Sequence, residues 1–181
     1  MMNFVNPMME RCDFMGSAQA DGQLPRRDCA HTKYNKMSYV NALYHIVFST
    51  WNRKKMLLPD QRPVLFRYMA GIIESEGVRL LAINGVGNHL HILVDLPATV
   101  RLADLTARLK RSSSLWMKKD GRFPLFEGWG KEYFTATISH RDKPAVIRYI
   151  QQQELHHGVL SYENELDRLL TGAGLTRVGA T

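Results

Sequence analysis

The amino-acid sequence predicts an α+β fold: a ferredoxin-like split βαβ arrangement with an antiparallel four-stranded sheet plus C-terminal helices. Three observations lead there. Four short apolar segments have the length and alternation of strands. Two longer segments repeat apolar residues at helical spacing. Their order is strand, helix, strand, strand, helix, strand, with a helix after the last, which is the split βαβ pattern.

The first strand is VNALYHIVFST, residues 40–50, with Tyr44, Ile46 and Phe48 on one face. A helix follows from Pro59 to Gly77. Val64, Leu65, Tyr68, Met69, Ile72 and Ile73 fall on one side of it, and Gly77 supplies a stop. VRLLAING, residues 78–85, is the second strand, joined by a Val-Gly-Asn link to a third at 89–95 in a hairpin. The second helix covers 100–118, with Leu102, Leu105, Leu109 and Trp116 near one side. GRFPLFEGWGKE is a turn-rich loop, and YFTATIS, residues 133–139, is the fourth strand. Asp142 can cap a helix that starts near Pro144, because proline suits a first helical turn. That helix is expected to run to about His157, followed by a short helix at 162–170 and a glycine-rich tail. In such a sheet the first two helices cover one face and leave the other open for a site.

The expected organisation is one domain, residues 37–171. Residues 1–36 have no helical or strand period and read as a disordered leader or a misplaced start, and 172–181 as a flexible tail. Length, 45% apolar and 23% charged content suit a soluble globular domain with a real core. No apolar run approaches the roughly 20 residues of a membrane span. Two cysteines, Cys12 and Cys29, give no disulfide framework, so a reduced cytoplasmic setting is expected.

The formal charge of +7 makes polyanions plausible partners. Its distribution is more telling. Between residues 101 and 131, eight cations face three carboxylates, and Arg53, Lys54 and Lys55 make a second cluster. A single lysine of this kind is ordinarily solvated surface. Two clusters beside phosphate chemistry point to nucleic acid.

The most informative stretch is GNHLHILVD, residues 87–95. On a strand, Leu90, Ile92 and Val94 turn into the core while His89 and His91 project together from the opposite face. Either histidine alone is commonly a hydrogen-bonded structural residue. Paired on a rigid strand they make a metal clamp. In RYIQQQELHH, Tyr149 sits at the edge of an apolar stripe formed by Val146, Ile147, Ile150 and Leu155. Gln153 lies one turn later and His156 two turns later. A glutamine carbonyl can ligate a hard metal, and a phenol can act as a nucleophile. His156 and His157 themselves read as helix-end surface.

GNHLHILVD resembles the His-hydrophobic-His motif of the HUH endonuclease superfamily, and VIRYIQQQELHH the tyrosine helix of its single-tyrosine, IS200-like insertion-sequence transposases. MSYVNALYHIVFSTWNRK, LADLTARLKRSSSLWMKK and WGKEYFTATIS resemble that family's first strand and basic turn, central helix and following strand. The resemblance spans about residues 37–171. It implies that His89, His91 and Gln153 hold one divalent ion, Mg or Mn, and that Tyr149 cleaves and rejoins single-stranded DNA through a 5′-phosphotyrosine. It also implies hairpin-forming element ends as substrate, and a homodimer with active sites shared between subunits. Arg53, Lys54, Lys55, Lys110, Arg111, Lys118 and Lys119 would then be DNA-binding, with Trp51 stacking on an unpaired base and Trp116 in the core. His45 should share the face of the histidine pair, as a supporting partner or a structural residue.

Two other classes compete. A histidine-triad nucleotide hydrolase requires a third histidine where Leu93 stands, and the paired His-x-Thr/Ser motifs of two-histidine phosphoesterases are not evident. A non-catalytic or domesticated relative that binds single-stranded nucleic acid, for example one linked to dispersed palindromic repeats, shares every motif; binding without cleavage would distinguish it.

Overall fold

Strand-forming sequence dominates the centre of the chain, and the computed structural model, which describes residues 39–156 and 161–177, assembles it into one sheet. The expectation for residues 1–36 lies outside the described residues, as does His157. Strands β1 (Leu43–Ser49), β2 (Arg79–Val86), β3 (His89–Asp95) and β4 (Phe134–Ile138) pair in the order β2-β3-β1-β4. Every neighbour is antiparallel. With α1 (Arg62–Ser75) between β1 and β2 and α2 (Leu102–Asp120) between β3 and β4, this is the split βαβ sheet, α+β in class. Helices α3 (Lys143–Gln151), α4 (Gln153–His156) and α5 (Tyr162–Gly172) complete the order.

The alternation in β1 and β3 sorts side chains as their period requires. Ile46, Phe48, Leu90, Ile92 and Val94 enter the large core against α1 and α2, together with Leu65, Met69, Ile73, Leu105 and Leu109. Each such side chain stabilises the fold by roughly 1.5–3 kcal/mol. The loop between α2 and β4 does more than turn. Phe123, Phe126 and Trp129 are buried in that core, and Trp129 Nε1 donates to Ser113 Oγ at 2.9 Å. Trp116 packs against the same core and stacks on Tyr68. Gly121 ends α2 in the left-handed region, at φ 75°. Gly85 admits no side chain, because a Cβ there would lie 2.4 Å from the carbonyl oxygen of His89. The hairpin strands can therefore close tightly beside the histidines.

Three expectations need correction. The second face of the sheet is not open. It carries Ala82, Leu93 and Ile138, apolar groups that demand cover, and α3 supplies it with Ile150, Val146, Ile147 and Tyr149. The helix opened at Pro144 also does not reach His157 unbroken. Asn84 Nδ2 donates to the carbonyl oxygens of Ile150 and Gln151, each at 3.0 Å, engaging acceptors at the end of α3. The chain breaks at Gln152 and resumes as α4, leaving Leu155 66% exposed and outside the apolar stripe. Asp142 does precede α3, but its carboxylate accepts from Ser139 Oγ at 2.7 Å rather than from the helix.

Candidate metal and tyrosine site

The face opposite the main core gathers polar side chains from four elements. β3 turns His89 and His91 to it, and both are fully buried. β1 adds His45: its Nε2 lies 3.0 Å from His91 Nδ1, and the rings stack. Helix α3 brings Tyr149, whose ring centroid is 5.8 Å from that of His91. Gln153, the first residue of α4, is fully buried beside them. The break at Gln152 sets its position, and Arg62 anchors the same turn. That guanidinium donates to Glu154 at 2.7 Å and to the carbonyl oxygen of Gly85 at 3.2 Å.

All of these groups converge on Glu165 from α5. Tyr149 Oη donates to Glu165 Oε1, and Gln153 Nε2 donates to the same oxygen at 3.1 Å. His91 Nε2 stands 3.4 Å from Oε1, and His89 Nε2 stands 3.0 Å from Oε2. Sequence reasoning did not find Glu165, although a signal was present. In α5 it occupies the stripe of Tyr162, Leu166 and Leu169, where an amphipathic helix ordinarily places an apolar residue. Asn84 was also missed; polar residues inside strands give no comparable signal.

The environment holds these groups in defined states. Burial, reinforced by the neighbouring His91, lowers His45 from 6.5 to about 3, so its imidazole is neutral. A neutral His45 can hold His91 Nδ1 and turn its Nε2 towards the centre. His89 Nδ1 donates to Asn88 Oδ1 at 2.8 Å, which likewise leaves Nε2 facing inward. Burial and the Glu165 carboxylate push the Tyr149 phenol far above its ordinary range, so it retains its proton at neutral pH.

The residues present fit a divalent cation. One ligand atom from each of His89, His91 and Glu165 lies within 4.8 Å of the others. Among the described residues, Gln153 Oε1 is buried without a hydrogen-bond partner, a position a cation would satisfy. Imidazole, carboxylate and amide oxygen together suit Mn or Mg as well as softer ions.

The expected DNA-binding cations divide into two groups. Lys110 Nζ donates to the carbonyl oxygens of Gly130, Lys131 and Glu132 at 3.1, 3.1 and 2.8 Å, so all three of its protons serve the loop before β4. Lys54 pairs with Glu127 at 2.7 Å, and Arg53 with Glu163 of α5 at 3.2 Å. Lys55, Arg111, Lys118 and Lys119 are exposed and form no ion pair among the described residues. Trp51 is 40% exposed in a short 3-10 turn after β1. Arg111 lines a cleft of about 460 Å³ with Lys131, Tyr133, Trp129 and Ser114.

A family model described as "Transposase IS200 like" matches residues 38–153, which includes the first strand, the histidine pair, the tyrosine and Gln153. The chain belongs to the IS200-like transposase family. It is 25% identical over 132 residues to the transposase for insertion sequence element IS200 of Salmonella typhimurium, covering 70% of this chain and 82% of that one. The same figures hold for the IS200 transposase of Salmonella typhi. The fold is similar to that of a putative transposase from Deinococcus radiodurans, with a TM-score of 0.50, 21% identity, and coverage of 64% of this chain and 93% of that one. It is also similar to a REP-associated tyrosine transposase bound to a REP hairpin, with a TM-score of 0.52, 16% identity, and coverage of 77% and 86%. Among the described residues of this IS200-like chain, no helix is long and apolar enough to cross a membrane.

Proposed function

We propose that this chain is a metal-dependent transposase that cleaves and rejoins single-stranded DNA, with Tyr149 as the nucleophile. One observation carries the proposal: the Tyr149 hydroxyl and His91 Nε2 meet at the same carboxylate oxygen, inside one chain. A phenol that attacks phosphorus beside a metal-binding imidazole pair needs that proximity. In the reaction, Tyr149 Oη forms a bond to the scissile phosphorus and the P–O3′ bond breaks. The phenolic proton is released, the departing 3′-oxygen takes up a proton, and the 5′-phosphate stays on the tyrosine. Attack by the 3′-hydroxyl of another strand reverses these bonds and returns the proton to Tyr149. The stored ester makes rejoining independent of external energy.

His89, His91 and Gln153 are the residues that would hold the ion, with His45 and Asn88 orienting the two imidazoles. When bound, a divalent ion supplies Lewis-acid polarisation of the scissile phosphate. Helices α3 and α4 bring the phenol and the glutamine to the same carboxylate oxygen. The exposed cations Lys55, Arg111, Lys118 and Lys119 are assigned to backbone phosphates, and Trp51 to an unpaired base. The solved relative that binds a hairpin supports a hairpin-bearing single strand as substrate.

The test is covalent capture of a hairpin-flanked oligonucleotide in Mn or Mg. Tyr149→Phe abolishes the adduct and leaves DNA binding within about twofold; an undiminished adduct removes Tyr149 from its role. Because the tyrosine already faces the histidines of its own chain, an equimolar mixture of Tyr149→Phe and His91→Ala should form no adduct. An adduct in the mixture would mean that two copies exchange their tyrosine helices in a shared-site homodimer.

A further inference from the structure

We propose that Glu165, carried by α5, is itself a ligand of the divalent ion, joining His89, His91 and Gln153, so that metal binding locks α5 onto the sheet. The proposal rests on the histidine pair being the metal clamp, and adds an element outside the segment matched by the family model, which ends at residue 153.

The geometry around the carboxylate carries it. His89 Nδ1 engages Asn88 Oδ1 at 2.8 Å, which turns Nε2 towards Glu165 Oε2 at 3.0 Å. His89 Nε2 and His91 Nε2 stand 3.0 and 3.4 Å from the two carboxylate oxygens, and one ligand atom from each of the three residues lies within 4.8 Å of the others, close enough to share one ion. Glu165 is 3% exposed and accepts hydrogen bonds from Tyr149 and Gln153. A buried carboxylate in that position calls for positive charge nearby. Gln153 donates through Nε2 and, among the described residues, keeps Oε1 without a hydrogen-bond partner, so one amide both positions the carboxylate and offers an oxygen to the ion.

Helix α5 is built to deliver this residue. Ser161 caps it by accepting from the Asn164 N–H at 3.3 Å. The Tyr162 ring lies 4.9 Å from that of His89, and Arg53 reaches from the turn after β1 to Glu163 at 3.2 Å and over the Tyr162 ring at 5.5 Å. His89, His91, Gln153 and Glu165 would together hold the ion, which would supply Lewis-acid polarisation to a phosphate bound there.

Two measurements on the full chain test the proposal without using its activity. Mn(II) titration, by calorimetry and by the EPR signal of the free ion, should show Glu165→Gln binding at least tenfold more weakly than the parent. Glu165→Asp, which keeps the charge, should recover most of the loss. Metal-free circular dichroism establishes that both variants are folded. On the unaltered chain, Mn(II) should slow amide exchange across residues 162–172, and this needs no variant. The proposal is overturned if Glu165→Gln binds Mn(II) within twofold of the parent, or if exchange in α5 ignores the ion. It is equally overturned if Glu165→Gln keeps its metal affinity and binds single-stranded DNA more tightly, since the carboxylate would then be a plug in the phosphate position. Failure of the transposase assignment would instead appear as a missing adduct with metal binding intact.

Discussion

Towards α1 and α2, strands β1 and β3 present Ile46, Phe48, Leu90, Ile92 and Val94; towards α3 and α5 the same strands present His45, His89 and His91. Both sets are almost free of solvent, so burial does not separate the faces. What differs is the material that covers them. The first face is closed by apolar side chains from two long helices, and burying it stabilises the fold directly. The second is closed by a small apolar cluster around Ile150 and, beside it, by a tyrosine, a glutamine and a glutamate that supply hydrogen bonds to a polar floor. There, burial raises electrostatic tension that a cation can relieve. One strand pair thus builds a core with one side and a reaction site with the other.

Leu90 and His91 are consecutive residues on opposite faces, and substituting each in turn is the severest way to break this comparison. Leu90→Ala should lower unfolding free energy by about 2–5 kcal/mol in urea denaturation, because it opens a cavity in a fully packed region. Adduct formation per folded molecule should stay within about threefold of the parent. His91→Ala should show the reverse: adduct lost, with the apolar core intact. If Leu90→Ala abolishes the chemistry while still folded, the two faces are not separable.

A smaller effect comes from acid. The folded pKa of His45 is lowered from 6.5 to about 3, chiefly by burial. Between those values the unfolded chain binds a proton that the folded chain refuses. The stability contributed by neutral His45 is therefore complete above pH 6.5 and falls as pH drops towards 3, by roughly 1.4 kcal/mol per pH unit. Denaturation in EDTA at pH 7 and pH 5 should differ by about 2 kcal/mol through this group. Subtracting the same pair of measurements on His45→Phe isolates the contribution, and an unchanged difference in that variant would assign the acid sensitivity elsewhere.

How much of this was legible in the sequence follows the same division. The apolar face was readable because period two in the strands and the helical spacing of Leu65, Met69, Leu105 and Leu109 are local patterns, and local patterns fix which side is dry. The histidine pair and His45 were readable as one face for the same reason. The cover of that face was not. Asn84 ends α3 from a strand some 66 residues earlier in the chain, and Glu165 reaches His91 across 74 residues. No spacing rule connects groups so distant. The Phe123, Phe126 and Trp129 loop was read as turn because its Gly and Pro content outweighed its aromatics. Counting charges likewise located the basic clusters without telling which cations were already engaged.

That last gap gives the finest test, between two neighbours on α2. Lys110 is half-buried with its three N–H groups on loop carbonyls, and burial lowers its pKa. Arg111, one residue on, is exposed and lines the cleft beside Lys131 and Tyr133. Lys110→Met should therefore cost about 1–2 kcal/mol of stability through the lost hydrogen bonds, and leave the salt dependence of DNA binding unchanged. Arg111→Ala should leave the melting temperature in place and flatten the slope of log affinity against log salt by about 0.7, the signature of one released single-strand phosphate contact. An equal flattening in both variants would mean that Lys110 trades its carbonyls for phosphate when DNA arrives, and the loop before β4 would then belong to the binding surface and not to the scaffold alone.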